Sequence, residues 1–432
     1  MPERIAEKGV LQAGRCESAA RCGGRFWLAI DSRRDQSCGA GVMAAERTGR
    51  HLRWLCVAFP AVVAAAVCWY WTLGRSSPPL GITDAEWREA EVAAVRRLGR
   101  APVRAEVCLT LARQAIRDGQ SEKAFVCFAA IPADDPEHGL QAEFERSSLC
   151  LEESRAGAAE AGFQKILAAA RGGVPVPTRQ RLFSLRSLSL LYGVQMRTGR
   201  RAEILKQLMD ERAADVHEAK YHFFPSLLVW QNDWGASRVR SYLGHEPDSR
   251  PLQNAAARYL TGEGRLDDAR QQLERLHGAD PRDLETVAFL LECCREQNDT
   301  ARFEAICEGL PAETSAEPLL LMEHRGVWLL GREAWSQAEA CFQRLLQRDR
   351  SNPAACQGLA ECYGRLQRPE LRAEYMERSA VLARLRIGLG PAVPENPGAI
   401  RAVADWSREL GMLDAAEVFD FFAGRGAPTA LP

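Results

Sequence analysis

Two segments of this chain carry the same ordered residues at the same intervals, and that spacing restricts the fold more than any other feature. In GQSEKAFVCFAAIPADDP, Gly119, Ala124, Phe128 and Pro136 stand as Gly-x4-Ala-x3-Phe-x7-Pro. In GRLDDARQQLERLHGADP, Gly264, Ala269, Leu273 and Pro281 take the corresponding places. Glycine permits a tight turn between two helices, and alanine lets them approach closely where they cross. The large apolar residue one turn later fills the groove, and proline ends the helix. A unit of this kind cannot bury its apolar face alone, so the pattern predicts helical hairpins stacked on their neighbours.

Pro247 lies 34 residues before Pro281. Following the central position by that period gives Ala124, Ala159, Ile204, Gly235, Ala269, Phe303, Ala338, Arg372 and Ala416. Two long steps contain the breakers GGVPVPT at 172–178 and GLGPAVPENPG at 388–398. The pattern resembles the tetratricopeptide repeat: Gly326, Trp335, Ala338 and Phe342, then Leu359 and Tyr363, also occupy that family's positions. The resemblance covers about residues 100–425 and implies an all-α, tetratricopeptide-like superhelix, or solenoid. Ile204, Phe303 and Arg372 depart from the small central residue, so looser or re-angled hairpins are expected there. The stretch YHFFPSLLVWQNDW at Tyr221–Trp234 fits least well and is expected to form a distorted hairpin.

The resemblance also implies where a ligand would sit. In this family the first helix of each repeat lines a concave groove, and its positions 2, 5, 9 and 12 face a bound peptide. Carried over by frame, the groove candidates are His217, Lys220, Asn254, Arg258, Glu292, Arg295, Glu323, Gln357 and Glu361. Such a lining is polar and of both charge signs, suited to several weak contacts with an extended or helical peptide. Tetratricopeptide domains that grip chaperone C-terminal carboxylates use Lys-x3-Asn in the first groove helix. Here Phe224 follows Lys220 at that spacing, which argues against such capture.

The N-terminal hundred residues read differently. Residues 1–52 lack sustained periodicity and are expected to be disordered and cytoplasmic; Met43 begins a stretch that itself reads as a chain start. From Trp54 to Leu73 run twenty residues without a charge, long enough as a helix to span about 30 Å of hydrocarbon. Trp54 stands at one end, Trp69, Tyr70 and Trp71 at the other, where amphipathic rings favour an interface. Residues 53–74 are therefore expected to form a single transmembrane helix or signal anchor preceding the solenoid. Arg47, Arg50 and Arg53 precede the segment and only Arg75 closely follows it, which places the C-terminal part outside the cytoplasm, at a bacterial inner membrane. Ala64 and Ala66 also match a small-x-small cleavage pattern, which keeps a secreted or periplasmic form open. Residues 75–99 read as a Pro-stiffened linker and a first helix.

Composition narrows the function classes. With 56 basic and 57 acidic residues the net charge is −1, so no general attraction to nucleic acid is expected. The basic residues are almost all Arg, interspersed with Glu and Asp as on solvated helix faces. Of 14 cysteines, the nine from Cys108 onward lack CxxC or zinc spacing and are expected in the core. The seven histidines are scattered and read as surface or capping residues; His217 and His222, five apart, point in different directions on a helix. No HExxH, GxSxG, phosphate-binding or dinucleotide-binding glycine motif occurs. The expectation is a non-catalytic scaffold without cofactor or metal and with no evident small-molecule substrate. Its partners are other proteins or peptides, and it meets the membrane through residues 54–73. The assembly of envelope complexes is the process this plan suggests. A secreted peptide- or polysaccharide-binding form and a non-catalytic enzyme subunit are the alternatives.

Overall fold

The computed structural model of the chain describes residues 101–228, 233–314 and 317–425. The chain divides into two units, Met1–Ile82 and Thr83–Pro432, and every described residue lies in the second. The expected disordered segment 1–52, membrane segment 53–74 and linker 75–99 lie outside the described residues. Among the described residues no helix is long and apolar enough to cross a membrane.

The described chain is helical throughout. The helices are α1 (Ala101–Arg117), α2 (Ser121–Ala129), α3 (Gly139–Glu152), α4 (Ala156–Arg171), α5 (Thr178–Val194) and α6 (Thr198–Asp210). Then come α7 (Val216–Phe223), α8 (Asp233–His245), α9 (Arg250–Gly262), α10 (Leu266–Ala279), α11 (Leu284–Glu296) and α12 (Thr300–Glu308). The last six are α13 (Leu319–Gly331), α14 (Trp335–Arg348), α15 (Pro353–Arg365), α16 (Pro369–Leu389), α17 (Pro397–Glu409) and α18 (Leu413–Arg425). Odd-numbered helices are the first of each hairpin and even-numbered ones the second, except that α7 and α8 do not pack against each other. Consecutive hairpins from α9 to α15 pack side by side, each first helix touching the first helix of the next.

Each turn from first to second helix, where described, contains one residue in the left-handed region. Gly119, Gly264 and Gly411 take it without a Cβ clash, whereas Ser154, Met196, Asn298, Glu333 and Gln367 take it as non-glycine residues. The crossing residue follows five positions later in most hairpins, at Ala124, Ala159, Ala269, Phe303, Ala338, Arg372 and Ala416. That rule corrects one step of the sequence frame. Five residues beyond Met196 comes Arg201, not Ile204, and Gly235 then follows at the regular interval.

Where the central residue is small, close approach is visible. Phe342 of α14 is fully buried between α13 and α15, at Gly326 and Gly358. A Cβ on either glycine would lie 2.5 or 2.3 Å from its ring. Such interdigitation is what fixes the stacking angle of neighbouring hairpins. All nine described cysteines are buried in the core as expected. Burial pushes up the thiols of the seven from Cys150 onward, Cys307 and Cys341 to about 12, so these stay protonated and unreactive.

The sequence around Tyr221 departs further from the repeat than a distorted hairpin. Helix α7 has only eight residues, opened by a capping box in which Asp215 and Glu218 exchange hydrogen bonds with each other's backbone N–H. The segment 216–228 then crosses to the far end of the array, and we call it the strap. Phe224 stacks on Phe419 of α18 with ring centroids 5.7 Å apart, and Phe223 meets the same ring edge-on at 6.2 Å. Val216, Ala219 and Leu227 join Leu382, Leu385, Val403 and Phe419 in one apolar cluster. The array is therefore bridged across its own span by its seventh helix.

Candidate peptide-binding cavity

The strap runs over the first helices of the central hairpins and leaves a cavity of about 230 Å³ beneath it. One wall is Arg258 of α9, Glu285, Phe289 and Glu292 of α11, and Glu323 of α13. The opposite wall is Tyr192 and Arg201 from the α5–α6 hairpin, with Tyr221, Pro225 and Ser226 of the strap. Three groove candidates, Arg258, Glu292 and Glu323, thus share one cavity.

Stacking sets their geometry, because equivalent positions of adjacent first helices lie side by side. Arg258 donates from Nε to Glu292 Oε2 at 2.8 Å and from Nη2 to Oε1 at 3.1 Å, a bidentate pair across two hairpins. Its guanidinium also stands 4.9 Å from the Phe289 ring centroid. Arg295 reaches Glu323 at 3.4 Å and donates to Nδ1 of His324 at 3.2 Å. Burial, with Arg295 and Arg258 nearby, holds His324 down to about 3, so the imidazole is neutral and Nδ1 accepts. The expectation that every histidine is a surface or capping residue fails here, since His324 faces the core and is 1% exposed.

Two carboxyls in this wall, Glu323 and Glu285, are raised above the usual range. Glu323 is lifted by burial, opposed by Arg295, and Glu285 is lifted by burial, opposed by Arg197 and other guanidiniums. Among the described residues the Glu285 carboxylate has no ion-pair partner. Across the cavity Arg201 lies over the Tyr221 ring at 3.7 Å, and burial lowers its guanidinium to about 10. The site thus presents aromatic faces, one carboxylate free to accept, and charged groups locked into pairs. Those features suit recognition of a polar, partly apolar segment. They supply no activated nucleophile, and no group of acids, cysteines and histidines among the described residues could hold a metal ion.

The remaining groove candidates are dispersed. Lys220 requires correction: its side chain is not open to a ligand but buried, with Nζ donating to Leu389 O at 2.9 Å and Ala392 O at 2.8 Å. Burial lowers its pKa, and two carbonyls rather than a carboxylate receive its protons. Asn254 also requires correction, being 2% exposed and engaged with Asp283 and Thr286 of the next hairpin. His217 is exposed on α7, away from the cavity lining. Gln357 and Glu361 line a separate open groove on α15.

Sequence reasoning missed Arg201, Glu285 and the strap. The misplaced frame at Ile204 hid Arg201. The strap had a visible signal, because Asp215-x-x-Glu218 is a helix-start pattern set ahead of an unusually aromatic run. It missed Asp349 as well, a buried carboxyl that accepts from Ser226 of the strap and from Ser351 at 2.7 Å.

Comparison with known families bears on the centre of this array. Residues 260–322 match the tetratricopeptide repeat. The matched stretch runs from the end of α9 through α12 into α13, and so contains Glu285, Glu292 and Arg295. The tetratricopeptide-like character of the flanking hairpins rests on their own stacked geometry. No curated protein matches the chain. Among solved structures it is similar to a tetratricopeptide repeat protein from Parabacteroides merdae, at 14% identity and a TM-score of 0.30, covering 60% of this chain and 98% of that one. It is also similar to the P58(IPK) TPR domain, at 13% identity and a TM-score of 0.23, covering 66% and 99%. A human IFIT1 dimer with PPP-AAAA aligns at 11% identity and a TM-score of 0.33, covering 80% and 96%. At those scores the alignments carry no argument about the arrangement or ligands of this chain.

Proposed function

We propose that this protein is a membrane-anchored scaffold that holds a segment of another protein in the cavity beneath the strap. The observation that carries the reading is the convergence of Arg258, Glu285, Glu292 and Glu323 from three successive hairpins on one concave cavity. Side chains from separate hairpins read several residues of a ligand at once, as an extended or helical peptide requires. Near-zero net charge supports a protein ligand over a nucleic acid.

Anchoring rests on the uncharged run 54–73 with its aromatic ends and on the arginines before it. It would place the hairpins outside the cytoplasm, where they would serve the assembly of envelope complexes. Burial of the nine cysteines suits that compartment, because a thiol kept from solvent resists oxidation.

The test is affinity capture from detergent-solubilised membranes with wild type and a charge-swapped variant, R258E/E292R. The swap keeps an ion pair and hence the fold, while inverting what a ligand meets. Bound partner is expected to fall at least about tenfold, equivalent to about 1.4 kcal/mol; undiminished capture would remove the cavity from the mechanism. A carbonate wash should leave the wild-type chain with the membranes, and its release would favour the cleaved, secreted form.

A further inference from the structure

Helix α16 breaks the repeat in a specific way. In α14 the frame positions Ala338, Phe342 and Leu345 are each 0% exposed, covered by α15. The residues 34 positions on are Arg372, Met376 and Ser379 in α16. Arg372 and Met376 are exposed, the latter at 55%. The face that each central hairpin hides beneath its successor is here left open.

The cause lies in α16 itself, which has 21 residues where α14 has 14. Its added turns carry Leu385, Gly388 and Leu389. The final hairpin docks there, with Trp406 lying where a Cβ on Gly388 would stand. As a result α17 packs on α16 but scarcely on α15. What remains is a groove of about 740 Å³ between α15 and α16, floored by Ala360, Gly364, Ala380 and Ala383.

We propose that this groove is the docking site for an acidic amphipathic helix of another protein. The shape argument is that the vacant position corresponds to one filled by a helix in the preceding hairpins. The floor of small residues allows a helix backbone to approach closely. The charge argument is that Arg365 and Arg372 outnumber the one carboxylate in the groove's lining, Glu361, and among the described residues neither guanidinium has a carboxylate partner. Arg372 lies across Gly364, and Arg365 rests 5.4 Å from the Trp335 ring centroid. A helix with apolar residues three and four apart would meet Met376 and Ala380 with one face, and Glu or Asp flanking that face would reach the two arginines. The proposal goes beyond the cavity reading, since the groove and the cavity share no lining residue and respond to different substitutions.

The test places a photo-crosslinking amino acid at Ala380 in the full chain, in its native cells, and maps the adducts by mass spectrometry. Adducts are expected on an acidic segment of helical periodicity, whose synthetic peptide binds the purified chain. R365E/R372E, two exposed changes that leave helical circular dichroism and melting temperature unaltered, should reduce both adduct yield and peptide affinity at least about tenfold. A peptide with Lys in place of its acidic residues should recover binding to that variant. No adduct, adducts only on a second copy of this chain, or adducts on a basic segment would overturn the proposal. So would binding indifferent to R365E/R372E. Adduct yield that falls in R258E/E292R instead would assign the helix to the cavity.

Discussion

At the scale of single residues, burial without a compensating charge sets the most definite expectations. His324 is neutral in the folded chain because the interior and the guanidiniums of Arg295 and Arg258 oppose its protonation, with only the Ala288 carbonyl favouring it. Its folded pKa, about 3, lies below the usual histidine value, so the stabilising contribution is complete above pH 6.5 and shrinks as pH falls from there toward 3. The loss approaches about 1.4 kcal/mol per pH unit at the steepest part. Urea titrations of wild type and His324→Phe should therefore diverge below pH 6.5, with the variant showing the flatter profile; parallel profiles would mean that the ring is solvated. Gly358 offers a steric test, since a Cβ there would lie 2.3 Å from the Phe342 ring. Gly358→Ala should cost about 1–3 kcal/mol in the same assay despite alanine's better helix propensity.

At the scale of helices and hairpins, the crossing position was readable and its exceptions were informative. Ala124, Ala159, Ala269, Ala338 and Ala416 each sit in the second helix of a hairpin, buried at 0–2% exposure. The glycine-to-alanine interval held wherever the turn was short. It was misread at Ile204 because Met196, a residue with no turn signature, adopts the left-handed conformation. The arginine-dominated charge also acquires a structural role that mixed-charge patterning did not reveal. Arg113–Glu145, Arg186–Glu218, Arg270–Asp299 and Arg295–Glu323 each tie one hairpin to the next. The strap was least legible, because no local pattern states that Phe224 will stack on a ring almost two hundred residues away. Its contribution is measurable: Phe224→Ala should speed amide hydrogen exchange in α17 and α18 by at least about tenfold while leaving α1 and α2 unchanged. Equal effects at both ends would contradict a bridging role.

At the scale of the molecule, a solenoid is ordinarily a one-dimensional object in which each hairpin knows only its neighbours. The strap adds a second connection, so that α7 and α18 are adjacent in space as well as joined through ten intervening helices. In the language of mechanics, the hairpins between them form a slack loop lying in parallel with a short tie. Tension applied between the two ends of the array would travel through Phe223, Phe224 and the amine of Lys220 on its two carbonyls, leaving the wall formed by α9, α11 and α13 unloaded until that tie parted. An array built in this way would keep the shape of that wall while its ends are being pulled.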